Sequence, residues 1–67
     1  MSNEYKDYMY DRAQEYLLDT DYVRKIEYCT EWKYGYLIVG RSSDGQRNDY
    51  FVWLDDVEGW SFREIFP

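Results

Sequence analysis

The sequence contains no histidine, one cysteine and one proline, and its 8 basic residues are outnumbered by 14 acidic ones. Without histidine, the usual general base near neutral pH and the commonest metal ligand are both missing. A nucleophilic triad that relies on His is excluded. A lone cysteine, Cys29, rules out an internal disulfide and a Cys-based metal cluster. It sits between Tyr28 and Thr30 in a strand-like stretch, with no helix N-terminus to lower its pKa. It therefore reads as a small half-buried residue, and a reducing cytoplasm is the expected setting. No apolar run approaches the roughly 20 residues of a membrane span. The N-terminal "MSNEYKDY" lacks the basic start and apolar stretch of a secretory leader.

The shortage of cations gives a formal net charge of −6. A general nucleic-acid binder needs cations to displace counterions from phosphate, and docking on anionic lipid needs them too. The expectation is therefore no direct nucleic-acid contact and no membrane contact. Gly35, Gly40, Gly45 and Gly59 are dispersed and form no phosphate cradle. "DDVE", Asp55 to Glu58, lacks the alternating ligand spacing and sharp glycine turn of a calcium loop. It reads as a solvated acidic turn. No catalytic, cofactor-binding or metal-ligating set emerges, and the chain is not expected to be an enzyme.

Aromatic side chains are abundant, at 9 Tyr, 3 Trp and 3 Phe. A domain of 67 residues buries only about 60% of the surface its unfolded chain exposes. Large rings, each burying roughly 150–250 Å², partly offset that small core. Residues 1–67 read as one small α+β domain without repeats or linkers.

The first element is a helix, roughly Asn3 to Asp19, with Ser2 or Asn3 as its cap. At about 100° per residue, Tyr5, Met9, Ala13, Tyr16 and Leu17 share a face, with Tyr8 at its edge and Leu18 outside it. Glu4, Asp7, Asp11 and Glu15 fall within another arc of roughly 80°. "DTD", Asp19 to Asp21, ends the helix.

Three strands are expected to follow as an antiparallel meander. "YVRKIEYCTEW" alternates, with Ile26, Tyr28, Thr30 and Trp32 opposite Lys25, Glu27, Cys29 and Glu31. "KYG" supplies a three-residue loop with Gly35 at positive φ, and "YLIVG" is the central strand. Asp44-Gly45 marks a second hairpin, leading into "DYFVWL", Asp49 to Leu54. These loops pair Thr30 with Ile38, Trp32 with Tyr36, Ile38 with Phe51 and Tyr36 with Trp53. One sheet face then collects Ile26, Tyr28, Trp32, Tyr36, Ile38, Phe51 and Trp53. The other collects Leu37, Val39, Tyr50, Val52 and Leu54. A one-residue slip in the first loop would exchange the first strand between these sets. After an acidic turn, Ser61 and Glu64 have capping-box spacing, so "WSFREIF" reads as an apolar segment with one helical turn, docked on the sheet.

The acidic helix stripe carries an energetic cost. Asp7, Asp11 and Glu15 are successive i,i+4 neighbours, and each like-charge pair destabilises a helix by about 0.2–0.5 kcal/mol. Residues 2–21 hold six acids and two bases. These features point to a non-catalytic protein-binding module that docks on a basic surface. An inhibitor of the kind phages encode, blocking or mimicking nucleic acid at a basic site on a nucleic-acid-binding protein, fits the size and charge. The expected partner-binding residues are Glu4, Asp7, Asp11, Glu15, Asp55, Asp56 and Glu58. The alternative is a structural subunit, such as a homodimer, that associates through an apolar sheet face and its C-terminal tail.

Overall fold

The computed structural model describes the backbone of residues 2–65 and the side chains from Glu4 onward. The expected cap by Ser2 or Asn3, and the place of Phe66 in the C-terminal segment, lie outside what is described. The element order is helix α1 (Ser2–Asp19), then strands β1 (Lys25–Trp32), β2 (Gly35–Arg41), β3 (Arg47–Asp55) and β4 (Gly59–Ile65). The strands form one antiparallel sheet in the order β1-β2-β3-β4, and α1 packs on one face.

The expected three-stranded sheet is therefore corrected to four strands. "GWSFREI" is a strand and not a docked helical turn. Its residues alternate, and Trp60 and Phe62 turn toward the helix opposite Leu54 and Val52. Pairing with β3 satisfies the backbone groups that a single helical turn would leave largely unmet. Asp55 closes the preceding turn, its Oδ1 accepting the backbone N–H groups of Val57 at 2.7 Å and Glu58 at 2.9 Å. The acidic turn thus starts a hairpin.

Both earlier loops differ from expectation by one residue. β1 and β2 join through Lys33 and Tyr34 alone, with Trp32 paired to Gly35. Lys33 takes φ of 53°, the sign a type II′ loop has at its first residue, and Gly35 lies inside the strand. The next loop has three residues, Ser43 to Gly45, between Ser42 and Gln46, whose backbones bond at 2.9 Å. Leu37 therefore faces Phe51, and Ile38 faces Tyr50. The inner face, toward α1, holds Tyr36, Ile38, Tyr50, Val52, Trp60 and Phe62. The outer face holds Tyr28, Trp32, Leu37, Val39, Phe51 and Trp53. A bulge between Ile26 and Tyr28 lets Ile26 and Cys29 both pack inward.

Ala13 and Leu17 anchor α1 and are fully buried beside Ile38 and Val52. Tyr16 stacks on Trp60 and meets Phe62 edge-on. Tyr10 accepts a hydrogen bond from the Glu31 N–H at 3.1 Å, near the β1–β2 turn. The helix thus runs antiparallel to β1, and its first turns project past the sheet by roughly 10 Å at 1.5 Å per residue. Tyr5, expected on the buried face, is 66% exposed for this reason, and Tyr8 is exposed with it. At the other end Thr20 Oγ1 donates to the Leu17 carbonyl at 2.6 Å, and Asp21 at φ 69° ends the helix.

Candidate interaction surfaces

The acids expected to bind a partner fall into two groups. Glu4, Asp7, Asp11 and Glu15 are all exposed along α1. Glu15 accepts an ion pair from Arg12 at 2.9 Å, a surface contact worth at most a few tenths of a kcal/mol. Asp7 and Asp11 form no ion pair among the described residues. Asp56 and Glu58 are exposed in the β3–β4 turn. Asp55 is half-buried, and its two backbone hydrogen bonds hold its carboxyl below the usual range. Its oxygen is thus engaged in shaping the turn.

The fold brings these groups to one end of the molecule. The β1–β2 and β3–β4 turns share an end of the sheet, as alternate turns of a meander must. The projecting half of α1 reaches the same end, where Met9, Tyr34 and Leu54 line a shallow cleft of about 290 Å³. Acids separated by some 40 residues in sequence therefore form neighbouring patches.

Cys29 is half-buried against the core, and burial pushes its thiol up to about 11. A thiol held that high is a poor nucleophile at neutral pH. Among the described residues no cluster of His, Cys, Asp or Glu is placed to hold a metal ion. No helix among the described residues is long and apolar enough to cross a membrane.

From sequence, a sheet face entered only as the apolar surface of the alternative self-associating subunit, without the residues that form it. Phe51 is only 2% exposed on the outer sheet face, enclosed by rings and not by the helix. Trp32 and Tyr34 meet it edge-on at 5.4 and 4.9 Å, and Trp53 stacks on it at 5.2 Å. Tyr34 itself is 70% exposed. A cleft of about 390 Å³ opens beside this cluster, with Lys33 and Arg63 among its walls. A sequence signal existed in the aromatic alternation of β1 and β3, but it indicated a core.

An ion-pair network lies at the opposite end of this face. Glu27, displaced outward by the bulge, bridges Arg41 at 2.7 Å and Arg47 at 3.3 Å. The hydrogen bond from Arg41, aided by the charge of Arg47, holds the Glu27 carboxyl below its ordinary range. A carboxyl depressed in the folded state stabilises above its unfolded pKa. It loses that contribution as pH falls through the folded value. Glu27→Gln is therefore expected to lower the melting temperature at pH 7, with the gap to wild type closing as pH falls through the depressed folded value of Glu27. A melting-temperature gap that persists in acid would rule out the ion pairs as its source.

Comparison with known proteins returns no match: no family model, no curated protein and no solved structure matches this chain.

Proposed function

We propose that this chain is a non-catalytic protein-binding module whose acidic helix face docks on a basic protein surface. One observation carries the reading. The helix acids are exposed on a helix whose first turns project beyond the sheet, so a partner can approach them without meeting the strands. Tyr5 and Tyr8, exposed on the same turns, add the aromatic area in which interfaces are enriched. Asp56 and Glu58 extend the acidic surface at that end. In its finer form the proposal is an inhibitor that occludes a phosphate-binding site on a nucleic-acid-binding protein. Acids one helical turn apart lie about 6 Å apart along the axis, coarser than the 3.4 Å phosphate spacing of a DNA strand. Occlusion therefore fits better than close mimicry. A reducing cytoplasm is the proposed setting, given the single unpaired cysteine.

The test is the triple variant Asp7→Asn, Asp11→Asn and Glu15→Gln. Removing three charges relieves self-repulsion and loses one exposed ion pair, so stability should change by less than about 1 kcal/mol. Partner capture from a lysate, eluted along a salt gradient, should fall sharply. Affinity for the captured partner should drop by tenfold or more, mostly through slower association. Unchanged affinity with unchanged salt dependence would reduce the stripe to a solvated face.

The half-exposed rings of the outer face favour the second reading, a subunit that self-associates through its sheet. Apolar association should persist in high salt, whereas electrostatic docking weakens. Sedimentation at two salt concentrations separates the two.

A further inference from the structure

The expectation of no nucleic-acid contact rests on total charge, yet the fold distributes that charge unevenly. By strand register, Lys25, Arg41, Arg47 and Arg63 belong to the outer face. The Lys33 ammonium lies 4.6 Å from the centre of the Trp32 ring on that side. Five of the 8 basic residues are thus gathered there, against Glu27, Asp49 and Asp55 of the 14 acids, with Asp55 tied to backbone N–H groups of its own turn. Glu64 adds one carboxylate at the edge of the cleft. In a chain of net charge −6, basic residues on this face thus outnumber acidic ones by five to four. Those cations flank the Trp32, Tyr34, Phe51 and Trp53 cluster, with Lys33 and Arg63 at the cleft and Arg41 and Arg47 at the far end.

We propose that the outer sheet face binds single-stranded nucleic acid, with a base stacked at Tyr34 and Trp32 and phosphates held by Lys33 and Arg63. Stacking needs exposed rings on a rigid frame. Tyr34 is 70% exposed on a two-residue turn, and Trp32 is 37% exposed at a strand end. A cleft of about 390 Å³ lies in the range of small-molecule sites, enough for one base and its sugar. The acids of α1 lie beyond the sheet, on the far side of a helix roughly 10 Å across. That exceeds the Debye length of about 8 Å at physiological salt, so their repulsion of a strand on the outer face is screened. An acidic protein segment would satisfy the cations but leave the exposed ring faces without planar partners. A second copy packed face to face would bring cations against cations.

The experiment is fluorescence anisotropy of a labelled short oligo-dT strand with the full chain. Binding is expected to weaken with salt and to be much weaker for duplex DNA, whose base faces are inaccessible. Tyr34→Ala should weaken binding by about tenfold or more, and Lys33→Glu with Arg63→Glu should abolish it. These side chains are exposed, and circular dichroism of each variant checks that it folds. The helix triple variant should bind oligo-dT at least as well as wild type, which keeps this result separate from the helix-docking proposal. Absence of oligo-dT binding overturns the inference, as does binding unmoved by Tyr34→Ala and by the double reversal. Thymidine monophosphate competing as well as the strand also overturns it, in favour of a free-nucleotide site. Shifts of the outer-face amides by polyglutamate without oligo-dT binding would assign the face to an acidic protein instead.

Discussion

Phe51→Ala is expected to leave the protein largely unfolded at room temperature. Truncating a fully packed phenylalanine costs about 3–5 kcal/mol through lost transfer energy and the cavity left behind. At about 0.05–0.15 kcal/mol per residue, a chain of this length has roughly 3–10 kcal/mol of total stability. The loss therefore approaches the whole at the lower end. Phe51 is 2% exposed although it faces away from the helix, because Trp32, Tyr34 and Trp53 enclose it. Removing it also leaves those three rings without their common contact. Tyr34→Ala, at a 70% exposed ring, should cost far less, about 1 kcal/mol or below. Thermal and urea unfolding followed by circular dichroism would compare the two. A Phe51→Ala protein that melts within a few degrees of wild type would show that the outer cluster is not a second core.

Gly35→Ala is expected to lower stability by about 3 kcal/mol, the upper part of the range for overpacking. That corresponds to a fall in melting temperature of ~12–24 °C for a domain this small. A Cβ at position 35 would collide with the Val52 carbonyl oxygen and come within 2.9 Å of the Trp53 Cβ. The first obstacle is backbone within a paired strand and cannot step aside without breaking β2–β3 pairing. The glycine is the notch over which Trp32, Phe51 and Trp53 close. Gly45→Ala is the control. Space is open there, but φ is +88°, so the cost should be only the roughly 1–2 kcal/mol of a left-handed conformation. Equal melting temperatures for the two variants would contradict the close approach at Gly35.

Much of the local structure was legible in the sequence. The helix ends at Asp19 as the "DTD" signal indicates, and Ala13 and Leu17 are its buried anchors. Arg12 pairs with Glu15, as their spacing allows. The strands at β1, β2 and β3 were each visible as alternation or as an apolar run. β4 was not, because Ser61 and Glu64 have helical capping spacing while Trp60 and Phe62 alternate as in a strand. Local pattern supports both readings, and pairing to β3 decides between them. The acids at Glu4, Asp7, Asp11 and Glu15 were readable as one exposed stripe because a helix has a fixed period. Their neighbourhood with Asp56 and Glu58 depends on the meander returning to the same end.

Sequence by itself determined the periods: which residues of one strand share a side, which helix positions face together, and how much charge the chain carries. It did not determine how strands are set against one another. Side-chain direction alternates with each residue, so a loop one residue shorter or longer exchanges a strand's two faces relative to its neighbour. Both early loops differ from expectation in this way, the first being one residue shorter and the second one residue longer. Trp32, Phe51 and Trp53 therefore remain together as expected, while Tyr36 and Ile38 move to the opposite face, beneath the helix. Charge follows the same rule. The total of −6 is a property of composition. The gathering of Lys33, Arg41, Arg47 and Arg63 on one face arises only when four strands are brought into register.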